Sequence, residues 1–120
     1  MPQPRILIAD DEKDIRDLFV DSLQPHGFDV RAAKDGREAV DIIRNGHIDI
    51  AFLDIRMPGL NGVEALREIS RTRPETQVVM ITGYCDDDRV HEALGLGSFL
   101  CLMKPFKIQD VLGLIDVLKS

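Results

Sequence analysis

The sequence has no tryptophan, one tyrosine and two cysteines, and each scarcity narrows what the chain can be. Cys85 and Cys101 lack CxxC spacing, so they suggest neither a disulfide framework nor a zinc site. Free thiols in a reducing cytoplasm are the expectation. Positive charge is in deficit, with 15 Lys and Arg against 21 Asp and Glu and a net charge of -6. That excludes the basic footprint of a nucleic-acid binder; any contact with DNA phosphates would have to come from another domain or partner. No apolar run approaches the roughly 20 residues that span a membrane. Met1 to Arg5 lacks the basic and apolar regions of a signal peptide, so a cytoplasmic location is expected. His26, His47 and His91 are scattered and expected to be solvated.

What remains is a soluble globular composition, 44% hydrophobic and 30% charged over 120 residues. That length fits one domain, residues 1–120, able to bury a core without disulfides or structural metal. Apolar blocks alternate with amphipathic stretches. Strands are predicted at Arg5 to Ala9, Phe28 to Ala32, Ile48 to Leu53, Gln77 to Ile81 and Ser98 to Met103. Helices are predicted at Glu12 to Gln24, Asp35 to Asn45, Val63 to Arg71, Asp86 to Leu96 and Ile108 to Lys119. Pro25 and Gly27 break the first helix, and Asp35 is a candidate N-cap for the second. Five strands alternating with five helices imply parallel pairing through right-handed crossovers, a three-layer doubly wound α/β sheet.

Ligands of such sheets bind at the carboxyl ends of the strands. Asp10 and Asp11 follow the first strand, Asp54 the third, Thr82 the fourth and Lys104 the fifth. Three carboxylates in one crevice repel, so a pKa rises or a cation neutralises them. Oxygen-only ligation, with no His or Cys in the cluster, suits Mg²⁺ better than zinc. A carboxylate between a metal and a lysine can attack phosphorus and form an acyl phosphate. The lysine and the threonine hydroxyl can position and neutralise the phosphoryl group. Any one of these residues alone would be an ordinary cap, turn hydroxyl or surface lysine. Pro58, Gly59 and Gly62 shape a loop that lets backbone approach the site.

IADDE at Ile8 to Glu12, LDIRMPGLNG at Leu53 to Gly62, ITG at Ile81 to Gly83 and MKPF at Met103 to Phe106 resemble the motifs of the response-regulator receiver (CheY-like) family of two-component signalling systems. The resemblance covers essentially the whole chain. It implies a flavodoxin-like strand order 2-1-3-4-5 and a phosphoacceptor signalling domain, not an enzyme. It implies that Asp54 accepts a phosphoryl group from a sensor histidine kinase. Mg²⁺ would then be held by Asp11, Asp54 and the backbone carbonyl of Arg56, with Asp10 acting through water. Thr82 and Lys104 would contact phosphoryl oxygens, and the Lys104–Pro105 peptide would be cis. An effector domain or downstream protein would receive the signal.

The chain departs from the family at Cys101, where most relatives carry an aromatic ring that couples the threonine to the output face. Phe99 is expected on that strand face by alternation but is not at the family position, and Tyr84 is another candidate substitute. In the last helix Ile108, Val111, Leu112, Ile115 and Leu118 can face the sheet, while Leu114 and Val117 fall to the side. A broad core stripe accounts for them; the alternative is a partner or homodimer surface. Three other functions compete. A degenerate receiver acting as a phosphorylation-independent binding module is disfavoured by the complete acid, threonine and lysine set. A flavin-binding protein would need a Gly/Ser/Thr-rich phosphate loop where Asp10 and Asp11 stand. A Mg²⁺-dependent aspartyl phosphatase would need an Asp-x-Asp after the first strand and cap segments, and neither is present.

Overall fold

In the computed structural model, which describes residues 3–83, 95 and 100–119, five parallel strands alternate with helices. The elements are β1 (Arg5–Ala9), α1 (Lys13–Leu23), a 3-10 turn (Gln24–His26), β2 (Asp29–Ala33), α2 (Gly36–Asn45), β3 (Ile50–Asp54), α3 (Gly62–Thr72), β4 (Gln77–Thr82), β5 (Leu100–Met103) and the last helix (Ile108–Lys119). The sheet order is β2-β1-β3-β4-β5, and every neighbouring pair runs parallel. The expected doubly wound sheet of order 2-1-3-4-5 is therefore the observed one. The predicted helix Asp86 to Leu96 lies outside the described residues, Gly95 excepted.

Period-2 alternation divides the strands between two cores. Leu7, Ala9, Ala51, Leu53, Val78 and Met80 pack under α2 and α3. Ile6, Ile8, Ile50, Phe52, Val79 and Ile81 pack under α1 and the last helix. β3 is buried at all five positions, as a central parallel strand covered on both faces should be. Phe19 lies edge-on to Phe52 at 5.1 Å and to Phe106 at 5.7 Å. This aromatic row ties α1 to the loop after β5.

Boundaries moved where local chemistry intervened. Gln24 leaves α1 for the 3-10 turn through Pro25 and His26, which Gly27 closes at φ 89°. Phe28 consequently precedes the ladder, and β2 begins with Asp29 opposite Arg5. β3 starts two residues later than predicted, because its register opens at Ile50 opposite Ile6. Asp49 serves as an anchor before it, its Oδ2 accepting from the Arg5 amide at 2.8 Å. β3 and β4 each end one residue later than predicted, at Asp54 and Thr82. Asp35 caps α2 as expected, accepting from the Glu38 amide at 2.8 Å. In the last helix Val111, Ile115 and Leu118 are buried and Val117 is 60% exposed, while Leu114 packs partly into the core.

Candidate functional site

The carboxyl ends of β1, β3, β4 and β5 bring Asp10, Asp54, Thr82 and Lys104 together. Asp54 and Thr82 are the last residues of their strands, and Asp10 and Lys104 directly follow theirs. Asp10, Asp54 and Thr82 are all buried, although each is polar. The strands set their positions: the Asp10 amide donates to the Ala33 carbonyl, and the Lys104 amide to the Thr82 carbonyl at 2.7 Å. The Lys104–Pro105 peptide is cis, as expected.

Lys104 is the hub. Its Nζ donates to Asp54 Oδ2 at 3.0 Å and to Glu12 Oε1 at 3.1 Å, and lies 3.1 Å from Asp10 Oδ2. Asp54 Oδ1 accepts from the Arg56 amide at 3.0 Å, so both oxygens of this carboxylate are held. Asp10 Oδ1 accepts from the Glu12 amide at 2.9 Å. Asp10 Oδ2 is different: it is buried and makes no hydrogen bond, and is paired only by charge with the Lys104 ammonium 3.1 Å away. Buried polar atoms left in this way are costly.

A cleft of about 280 Å³ opens over these groups, lined by Asp11, Glu12, Asp54, Arg56, Thr82, Gly83 and Lys104. Oxygens of Asp10, Asp11, Glu12 and Asp54 all lie within 4.8 Å of one another. Burial pushes the Asp10 carboxyl up to about 6, with the Asp54 charge adding to it and the Glu12 amide opposing. Burial also works against the Lys104 ammonium. Its hydrogen bonds to Asp54 and Glu12 and the charge of Asp10 outweigh that and raise its pKa.

The loop after β3 is built to approach the site. Gly59 takes φ 69°, a left-handed conformation that favours glycine. Asn61 and Glu64 form a reciprocal capping box at the start of α3. A Cβ on Gly62 would overlap the carbonyl oxygen of Asp54 and lie 2.9 Å from Ile55 Cα. Only glycine lets α3 start so close to the strand end.

A wider cleft of about 660 Å³ lies at the opposite, amino end of the sheet, with Arg5, Asp29, His47, Asp49 and Gln77 in its wall. Arg5 pairs there with Asp29 at 3.2 Å, and His47 Nε2 lies 2.7 Å from Asp49 Oδ1. The smaller cleft is the one at the carboxyl ends of the strands, where the acids and Lys104 converge.

Sequence reasoning missed one member of the site. Glu12 was read as part of a motif without a role, yet it reaches Lys104 across 92 residues of sequence. The available signal was its place beside the acidic pair at the first position of a helix, where glutamate is a poor cap. Cys101 is half-buried and packs against the core under α2 and α3. Tyr84, Cys85 and Phe99 lie outside the described residues.

Residues 6–116 match the family model described as the response regulator receiver domain, and the chain belongs to that family. It is 37% identical over 107 residues to the regulatory protein AtoC of Escherichia coli (strain K12), covering 89% of this chain and 23% of that protein. Among solved structures, NtrX from Brucella abortus superposes with a TM-score of 0.88 at 34% identity, over 97% of this chain and 27% of that one. The chemotaxis protein CheY4 of Vibrio cholerae superposes with a TM-score of 0.89 at 26% identity, over 97% of this chain and 98% of that one. The chain therefore spans about a quarter of AtoC and NtrX and nearly all of CheY4. Receiver domains are signalling domains of two-component systems, which fixes the class. No helix among the described residues is long and apolar enough to cross a membrane.

Proposed function

We propose that residues 1–120 act as one phosphoacceptor unit in which Asp54 takes a phosphoryl group from a phosphohistidine of a sensor histidine kinase. The observation that carries this reading is the Lys104 ammonium 3.0 Å from Asp54 Oδ2 inside a cleft walled by further carboxylates. A carboxylate oxygen of Asp54 attacks phosphorus, the P–N bond breaks, and its electron pair returns to the imidazole, which takes up a proton. Lys104 and Thr82 hold phosphoryl oxygens as charge shifts onto them.

Mg²⁺ fits the donor set. The set is all oxygen, and the orphaned Asp10 Oδ2 is the kind of atom a cation or its water would satisfy. Asp11, Asp54 and the backbone carbonyl of Arg56 would hold the ion, with Asp10 acting through water. When bound, the ion neutralises the carboxylates and the incoming phosphoryl oxygens. The switch then passes to an effector domain or downstream protein in the cytoplasm, with no direct nucleic-acid contact by this chain. Homodimerisation through the last helix, where Val117 is exposed, belongs to the same reading.

The test is intact mass after incubation with a small acyl-phosphate donor and Mg²⁺. One added phosphoryl group is expected, absent in Asp54→Asn. Equal labelling of the Asn variant removes Asp54 from the role. A wild type that never gains mass favours the phosphorylation-independent binding module instead.

A further inference from the structure

Glu12 occupies the N-cap of α1, with φ -84° and ψ 116°, yet its side chain makes no capping hydrogen bond. Asp, Asn, Ser or Thr would cap this helix better. The carboxylate instead turns to Lys104, accepting from Nζ at 3.1 Å. Glu12 is the solvent-side member of the pair: its side chain is 59% exposed, against 21% for Lys104. A local preference given up for a long-range polar contact points to function rather than to helix stability.

The ammonium has three N–H donors, and three carboxylates surround it: Asp10, Glu12 and Asp54. Asp10 and Asp54 are fixed by backbone amides. Glu12 is held at the cleft mouth by Lys104. A phosphoryl group on Asp54 would also need Lys104, from the same open side.

We infer that Glu12 is a positioning residue that competes with the phosphoryl group for Lys104 and so weakens the site's hold on it. The inference rests on the phosphoacceptor reading of Asp54. Exposed ion pairs of this kind are modest, so removing the competitor should strengthen phosphoryl-group binding by about 2- to 5-fold.

Beryllofluoride, which bonds to a carboxylate as a phosphoryl group does, measures this at equilibrium by fluorine NMR with Mg²⁺ present. Glu12→Gln should bind it about 2- to 5-fold more tightly than wild type, with an unchanged melting temperature. In a Lys104→Ala background the same substitution should change nothing, which a purely structural role or simple charge repulsion would not produce. If the tightening persists without Lys104, Glu12 acts as a bare charge and the inference falls. If Glu12→Gln binds as wild type does, it falls as well, while Asp54 stands. If wild type binds no beryllofluoride, or Asp54→Asn binds it equally, the phosphoacceptor reading fails and takes the inference with it.

Discussion

Asp10 is buried beside Asp54, and its carboxyl is pushed from the ordinary 3.8 up to about 6. Asparagine has nearly the same shape and imitates the protonated acid. It can keep the hydrogen bond from the Glu12 amide while shedding the charge. A raised carboxyl pKa means that the ionised form opposes folding. Its stability contribution is intact below the unfolded pKa and is lost as pH rises through the folded one. In metal-free buffer the wild type should therefore lose stability between pH 4 and 6, through this group, and no more above that. A difference of about two pKa units corresponds to about 3 kcal/mol at most. At pH 7 Asp10→Asn should thus exceed the wild type by up to about 3 kcal/mol, or about 10 °C in melting temperature for a chain of this size. Urea denaturation of both proteins at pH 4, 5, 6 and 7 reads the difference directly. It should grow with pH and level off above 6, and added Mg²⁺ should narrow it by stabilising the wild type. A variant less stable than wild type at pH 7, or a gap that does not change with pH, would refute the reasoning.

Two further outcomes follow from the same geometry. Gly62→Ala drives a methyl group into the Asp54 backbone; it should lower stability by about 1–3 kcal/mol and slow phosphoryl uptake, despite alanine's better helix propensity. Denaturation midpoints and intact-mass time courses check both effects, and an alanine variant as stable and reactive as wild type contradicts the close approach. Mg²⁺ should raise the melting temperature of the wild type by mass action and do so less in Asp11→Ala; an equal response in both would remove Asp11 from the ligand set.

Much of this arrangement was legible in the sequence because strand ends are readable. An apolar block that stops at Asp10, Asp54, Thr82 or Lys104 announces both the end of burial and the residue delivered there. The α/β alternation did the rest, since parallel strands put those ends on one side. Glu12 was not legible, because side-chain direction depends on tertiary partners rather than on spacing. Nothing local says whether an N-cap glutamate turns back to its own helix or outward to a lysine from another strand. Gly62 was legible as part of a loop that lets backbone approach the site, but not which backbone it meets. That it permits contact with the Asp54 carbonyl is a property of two elements meeting. The two-residue delay of β3 has the same origin, since register is set by Ile6 opposite Ile50 rather than by where apolar residues begin.

The span of the Lys104 contacts has a consequence for the life of the chain before it is finished. The lysine lies 92 residues beyond Glu12 and 50 beyond Asp54, directly after the strand that completes the sheet. A nascent chain emerging from the ribosome, or a fragment cut before β5, carries every acid of the cleft but not the cation that holds them together. Such a molecule has mutually repelling carboxylates and no ammonium to receive a phosphoryl oxygen. On the phosphoacceptor reading, competence to be phosphorylated would be an inspection of the whole fold, which a copy without β5 and Lys104 would fail.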